Sequence, residues 1–145
     1  MHKYYLFQTQ IFDLIKNFLC PFFYLKNTSK DIHNQNFVSG IGNIYASEIL
    51  FLCKINPTIY ASKLTKQDCK KIITYSKSIL NRAIKKGGSS IRDFKNITGK
   101  RGNFQKEFRV YQRENLSCLR SKCNGKIQKI FISNRSTFFC NTCQK

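Results

Sequence analysis

Cys118, Cys123, Cys140 and Cys143 form a C-x4-C pair and a C-x2-C pair, 16 residues apart. Two thiolates on each of two tight turns, brought together by a hairpin, supply the tetrahedron of soft ligands that a zinc ion takes. Four protein ligands leave no open coordination position, so one Zn2+ would be structural, pinning a hairpin too small to hold its own core. A reactive dithiol or two chance pairs are the alternatives. Cys20, Cys53 and Cys69 sit in helical apolar patterns, where a free cysteine behaves as a small buried hydrophobe.

The second chemically suggestive stretch is "VSGIGNIYASE", residues 38 to 48. Exposed amides at a helix N-terminus bind phosphate oxygens, and glycine lets a sugar-phosphate backbone come close. Gly40 and Gly42 would shape such a turn, and the Asn43 side chain would either cap the helix or donate to a phosphate. A plain helix-helix turn with Asn43 as N-cap fits the spacing equally well.

Composition narrows the partners. The 145 residues hold 26 lysines and arginines against 7 acids, a formal charge of +19, spread from Lys3 to Lys145. A self-repelling balance of this kind fits a polyanion, with nucleic acid ahead of an anionic membrane surface. The apolar N-terminus is broken by Asp13, Lys16, Asn17 and Pro21, so no run approaches the ~20 residues of a membrane span, and no signal-peptide cleavage site follows. Seven cysteines without a secretory leader point to a reducing, cytoplasmic setting.

Helices must position these groups. Ile11, Leu14, Ile15, Phe18 and Leu19 predict a helix from Thr9, ended by Pro21. Thr28 or Ser29 would begin a loop or short helix. Ile41 to Ile55 is apolar on almost every face and predicts a buried central helix that stops before Pro57. Thr65 and Asp68 resemble a capping box, and Ile72, Ile73, Ile79, Leu80, Ala83 and Ile84 continue as an apolar stripe closed by "KKGG". Residues 87–104 read as a long loop, and long loops in compact domains are often functional. "KIQKIFISNRSTFFC" reads as two strands joined at Ser133 to Arg135. The fold class is thus mainly α with a small β-hairpin, divided into a helical part, 1–110, and a finger, 111–145.

"FVSGIGNIYASEILFLCKINP" resembles the helix-two-turn-helix signature of the formamidopyrimidine-DNA glycosylase and endonuclease VIII family. "GGSSIRDF" resembles the segment after that family's long helix, "FRVYQRE" its strand before the finger, and "RSTFFCNTCQK" its closing zinc-finger hairpin. The similarity runs in order over about residues 36 to 145, with 1–35 divergent. It implies a helix-two-turn-helix bundle followed by a zinc-ribbon-type finger. The implied activity is base-excision repair of oxidised purines by a bifunctional glycosylase and abasic-site lyase. Gly42 and Asn43 would then bind phosphate beside the lesion. Arg135 would grip the flanking phosphates and serve as proton donor in δ-elimination, and the loop at 87–104 would be the mobile cover of the extruded base.

The chain departs from the family where the first cysteine pair is spaced by four, not two, and where Thr98, Arg101 and Asn103 replace an acid, a proline and an aromatic. It opens Met-His-Lys, where the resemblance implies a nucleophilic Pro-Glu start and a catalytic domain. An imine-forming amine must be unprotonated, and a lysine of ordinary pKa is not. The expectation is a monomer that binds lesion-containing or abasic double-stranded DNA without excising bases, its catalytic domain missing. A stand-alone zinc-dependent DNA- or RNA-binding module is the alternative.

Overall fold

The computed structural model of the chain describes residues 41–60, 63–89, 102–132 and 134–145. The helix expected from Thr9, the start expected at Thr28 or Ser29, and Gly40 lie outside the described residues, as do 90–101 of the long loop. The described elements are two helices, α1 (Asn43–Cys53) and α2 (Lys66–Lys85), a 3-10 turn (Phe104–Glu107), and two strands, β1 (Ile127–Ile132) and β2 (Arg135–Cys140).

Helix α1 is buried because its sequence is apolar nearly all round; Ala46, Ser47, Glu48, Ile49, Leu50, Phe51 and Cys53 are all buried. It is shorter than expected at both ends. Gly42, extended at φ −82° and ψ 175°, is the N-cap, and no side chain caps the helix. The expectation of Asn43 as N-cap is overturned: Asn43 is the first helical residue. At the far end Lys54 adopts a left-handed conformation, φ 62°, and the Ile55 N–H reaches back to the Leu50 carbonyl at 3.0 Å. This closure leaves Ile55 outside the helix.

Helix α2 opens on the expected capping box. Thr65 Oγ1 accepts the Asp68 N–H at 3.1 Å, and Asp68 Oδ2 accepts the Thr65 N–H at 3.2 Å. These bonds satisfy amides that the first turn leaves unpaired. Cys69, Ile72, Ser76, Ile79, Leu80 and Ala83 form the buried face. Ile84 turns off that face and is 46% exposed, a correction to the expected stripe.

Gly87 and Gly88 follow at φ 73° and 81°, the left-handed region that glycine enters without strain. Phe104 N–H then bonds Gly88 O at 3.1 Å, and Asn103 N–H bonds Lys86 O at 3.0 Å. These contacts tie the base of the long loop to the end of α2. A Cβ on Gly102 would lie 2.1 Å from Gly88 O, so only glycine permits this approach.

The hairpin is antiparallel, with Ile127 opposite Cys140 and Ile132 opposite Arg135. Arg135 therefore begins β2 instead of joining the strands, and Asn134 before it stands at φ 62°. "FRVYQRE" forms no strand, contrary to expectation. One cluster packs α1 on α2 with Phe104 and Phe108. A second joins Phe51 and Val110 to Cys118, Ile127, Phe138 and Cys140, so the finger completes its core with a residue from α1.

Candidate nucleic-acid interface and metal centre

The hairpin brings both cysteine pairs together: the four sulfurs all lie within 4.8 Å of one another. A tetrahedral ion with metal–sulfur bonds of about 2.3 Å requires sulfurs about 3.8 Å apart. The Cys118–Cys143 and Cys123–Cys140 distances are 3.8 and 3.7 Å, so these four residues can hold a metal. The ligands are braced in turn. Cys118 Sγ accepts the Arg120 N–H at 3.5 Å, and the Cys118 N–H donates to Gly125 O at 2.8 Å. Burial works against ionisation of Cys140, but N–H groups of Cys143 and Thr142 and the neighbouring thiols bring its pKa down to about 7. A Cβ on Gly125 would meet Cys140 Sγ at 2.8 Å, pressing directly on a ligand. All six cysteines among the described residues are free of disulfides.

Two side chains seat this finger on the last turn of α1. The Arg120 guanidinium donates to the Phe51 carbonyl and lies 4.6 Å from the centroid of the Phe51 ring. A cation at a helix C-terminus is favoured by the dipole, and stacking on the ring adds to it. Arg120 belongs to the widened first knuckle, so the four-residue spacing supplies an anchor and keeps the ligand geometry. Gln144 is fully buried; its Nε2 donates to Ile55 O at 2.7 Å and its Oε1 accepts the Cys140 N–H at 2.8 Å.

The other end of α1 meets the hairpin near its tip. Asn43 Nδ2 donates to the Ser136 carbonyl across 93 residues of sequence. Its Oδ1 is buried with no hydrogen-bond partner. Gly42 beside it has open space where a side chain would project. Arg135, next to Ser136, is exposed. The first turn of α1 thus touches the backbone of Ser136, the residue that follows Arg135 in β2.

Glu48 lies behind that surface and escaped the sequence reading. Only 3% exposed, its Oε1 accepts the N–H groups of Arg109, Val110 and Tyr111 at 3.0, 2.9 and 2.9 Å. Those three amides are turned inward to one carboxylate, which is why "FRVYQRE" cannot offer them to a strand partner. The available signal was an acid inside an otherwise apolar helix. Arg120 and Gln144 carried no comparable signal.

Burial pushes the Glu48 carboxyl above its ordinary value, against the pull of the Tyr111, Val110 and Arg109 N–H groups. Raised in the folded state, this group contributes stability that is present below the ordinary carboxylate pKa and lost as pH rises through the raised value. Glu48→Gln should therefore flatten the fall in stability on going up from the ordinary carboxylate range. Urea unfolding across that window checks it, with the variant within about 1–3 kcal/mol of the parent. An unchanged slope would remove Glu48 as its source.

The described residues include no helix long and apolar enough to cross a membrane. Residues 24–95 match the formamidopyrimidine-DNA glycosylase H2TH domain. The formamidopyrimidine-DNA glycosylase of Hydrogenovibrio crunogenus is 42% identical over 114 residues, 79% of this chain and 40% of that protein. Its counterpart in Neisseria meningitidis serogroup A is 44% identical over 108 residues, 74% of this chain and 38% of that protein. Among solved structures, a Lactococcus lactis FPG mutant in complex with Fapy-dG-containing DNA superimposes with a TM-score of 0.81 at 35% identity, over 90% of this chain and 48% of that one. The Lactococcus lactis Fpg complex with DNA containing an abasic site gives a TM-score of 0.76 at 34% identity, over 96% and 48%. The chain thus spans about 40% of the length of these curated relatives.

Proposed function

We propose that the chain, which is similar to the formamidopyrimidine-DNA glycosylase family, is the part of a base-excision-repair protein that grips damaged double-stranded DNA. The hydrogen bond from Asn43 to the Ser136 carbonyl carries this reading, because it sets the glycine-led tip of α1 beside Arg135. Free amides at the helix tip take one phosphate. The Arg135 guanidinium takes the next as a forked donor. Two fixed points on one strand favour a duplex that is already kinked or easily kinked, as at a lesion or an abasic position.

In this reading the four cysteines hold one zinc ion, whose chemistry is structural: it fixes β2 and with it Arg135. The protein works as a monomer in a reducing, DNA-containing compartment. Any proton donation by Arg135 during strand cleavage would act on DNA held in this grip.

Fluorescence anisotropy with zinc-loaded protein tests the proposal. An abasic duplex should bind more tightly than the same intact duplex, and borohydride reports whether an imine forms. Equal affinity for both duplexes, or preference for folded RNA, would reduce the chain to a general nucleic-acid module. A trapped adduct would place the reactive amine within it.

A further inference from the structure

Phe131 is 70% exposed, and neither apolar cluster includes it. It stands on β1 opposite Ser136, the residue whose carbonyl takes the Asn43 amide. Residues paired across antiparallel strands are about 5 Å apart at Cα, so the ring sits within a nucleotide's length of the proposed grip. Arg135 pairs with Ile132 in the adjacent register position and, by strand alternation, projects from the other face of the hairpin. Phe131 and Arg135 thus flank the turn.

Lys129 shares the Phe131 face. Its ammonium lies 5.2 Å from the centroid of the Phe131 ring and 5.9 Å from that of the buried Phe138. Cation–π attraction of this kind holds a charge beside a bare ring. A cation next to an open aromatic face matches the two parts of a nucleotide, its phosphate and the π-face of its base. Intact duplex offers no free base face, whereas a gap left by a missing base does.

We propose that Phe131 stacks on an unpaired or unstacked base next to an abasic position, with Lys129 meeting the adjoining phosphate. This rests on the DNA-gripping function above and adds a base contact to a grip otherwise made only to phosphates. It gives the finger a means of sensing damage directly.

The chain contains no tryptophan, so Phe131→Trp introduces a single indole reporter. Anisotropy of a labelled abasic duplex measures binding, and indole emission measures stacking in the same sample. Phe131→Trp should bind as the parent does and lose emission on saturation. Phe131→Ala should bind the abasic duplex roughly 5- to 100-fold more weakly, the range for one lost base stack, with little change on intact duplex. Because Phe131 is outside both cores, the alanine variant should keep the hairpin's native spectrum.

Unaltered emission in a saturated complex, or unaltered abasic affinity in a folded Phe131→Ala protein, would overturn the proposal. If the parent protein itself fails to bind either duplex, the grip falls and the stacking role with it. That outcome is visible before any variant is measured.

Discussion

With the four cysteines holding zinc as proposed, a strong chelator is expected to unfold β1 and β2 and to loosen the last turn of α1, while α2 remains helical. Structural zinc sites of this ligand type contribute about 10–16 kcal/mol of binding free energy, which is also folding free energy. The hairpin has little to set against that loss. Its buried apolar set is Val110, Ile127, Phe138 and two of the ligands themselves, completed by Phe51 from α1. Once the ligands separate, Arg120 and Gln144 lose the fixed backbone that lets them hold Phe51 and Ile55. Helix α2 has its own capping box and packs on a different cluster, so it should outlast the finger. Two-dimensional amide NMR distinguishes the regions. Persistence of native, dispersed signals from residues 127–140 in chelator would show that the finger does not depend on its metal.

Raising salt from 50 to 200 mM should weaken DNA binding by roughly 500-fold. This follows from a grip on about five phosphates, each contributing a slope of about −0.9 in log affinity against log salt. Only a few of the 26 cationic side chains need take part, the remainder serving to attract the polyanion at a distance. Arg135→Ala should reduce the slope by about one. Asn43→Ala removes no charge and should lower affinity with the slope unchanged. A flat response to salt would mean that phosphate neutralisation does not drive binding, whatever the damage preference.

What could be read in the sequence depended on the range of the contact responsible. Thr65 and Asp68 are three residues apart, and the cysteine pairs sit on local turns, so both were legible. Asn43 and Ser136 are separated by 93 residues, Phe51 and Arg120 by 69, and Arg109 and Glu48 by 61. No periodicity records such contacts. The strand that the family resemblance implied for "FRVYQRE" failed for the same reason: Glu48 takes the amides of Arg109, Val110 and Tyr111. The capping role open to Asn43 failed because the helix begins one residue earlier than that role needs: Gly42 is the N-cap and Asn43 is already helical. Ile84 followed the apolar composition of its helix but not the face that tertiary packing chose. Family resemblance named Asn43 and Arg135 as partners; the structure supplies the hydrogen bond that puts them near each other.

Abasic-duplex affinity of the Asn43→Ala, Arg135→Ala and doubly substituted proteins tests the two-point grip most directly. Each single change should cost about 1–3 kcal/mol, Arg135→Ala through a lost hydrogen bond to phosphate and Asn43→Ala through a Ser136 carbonyl left without its partner. The double variant should lose less than the sum, because the two residues share the positioning of Ser136 and one DNA strand. Unchanged affinity in both single variants, with the finger still folded around its metal, would contradict the account.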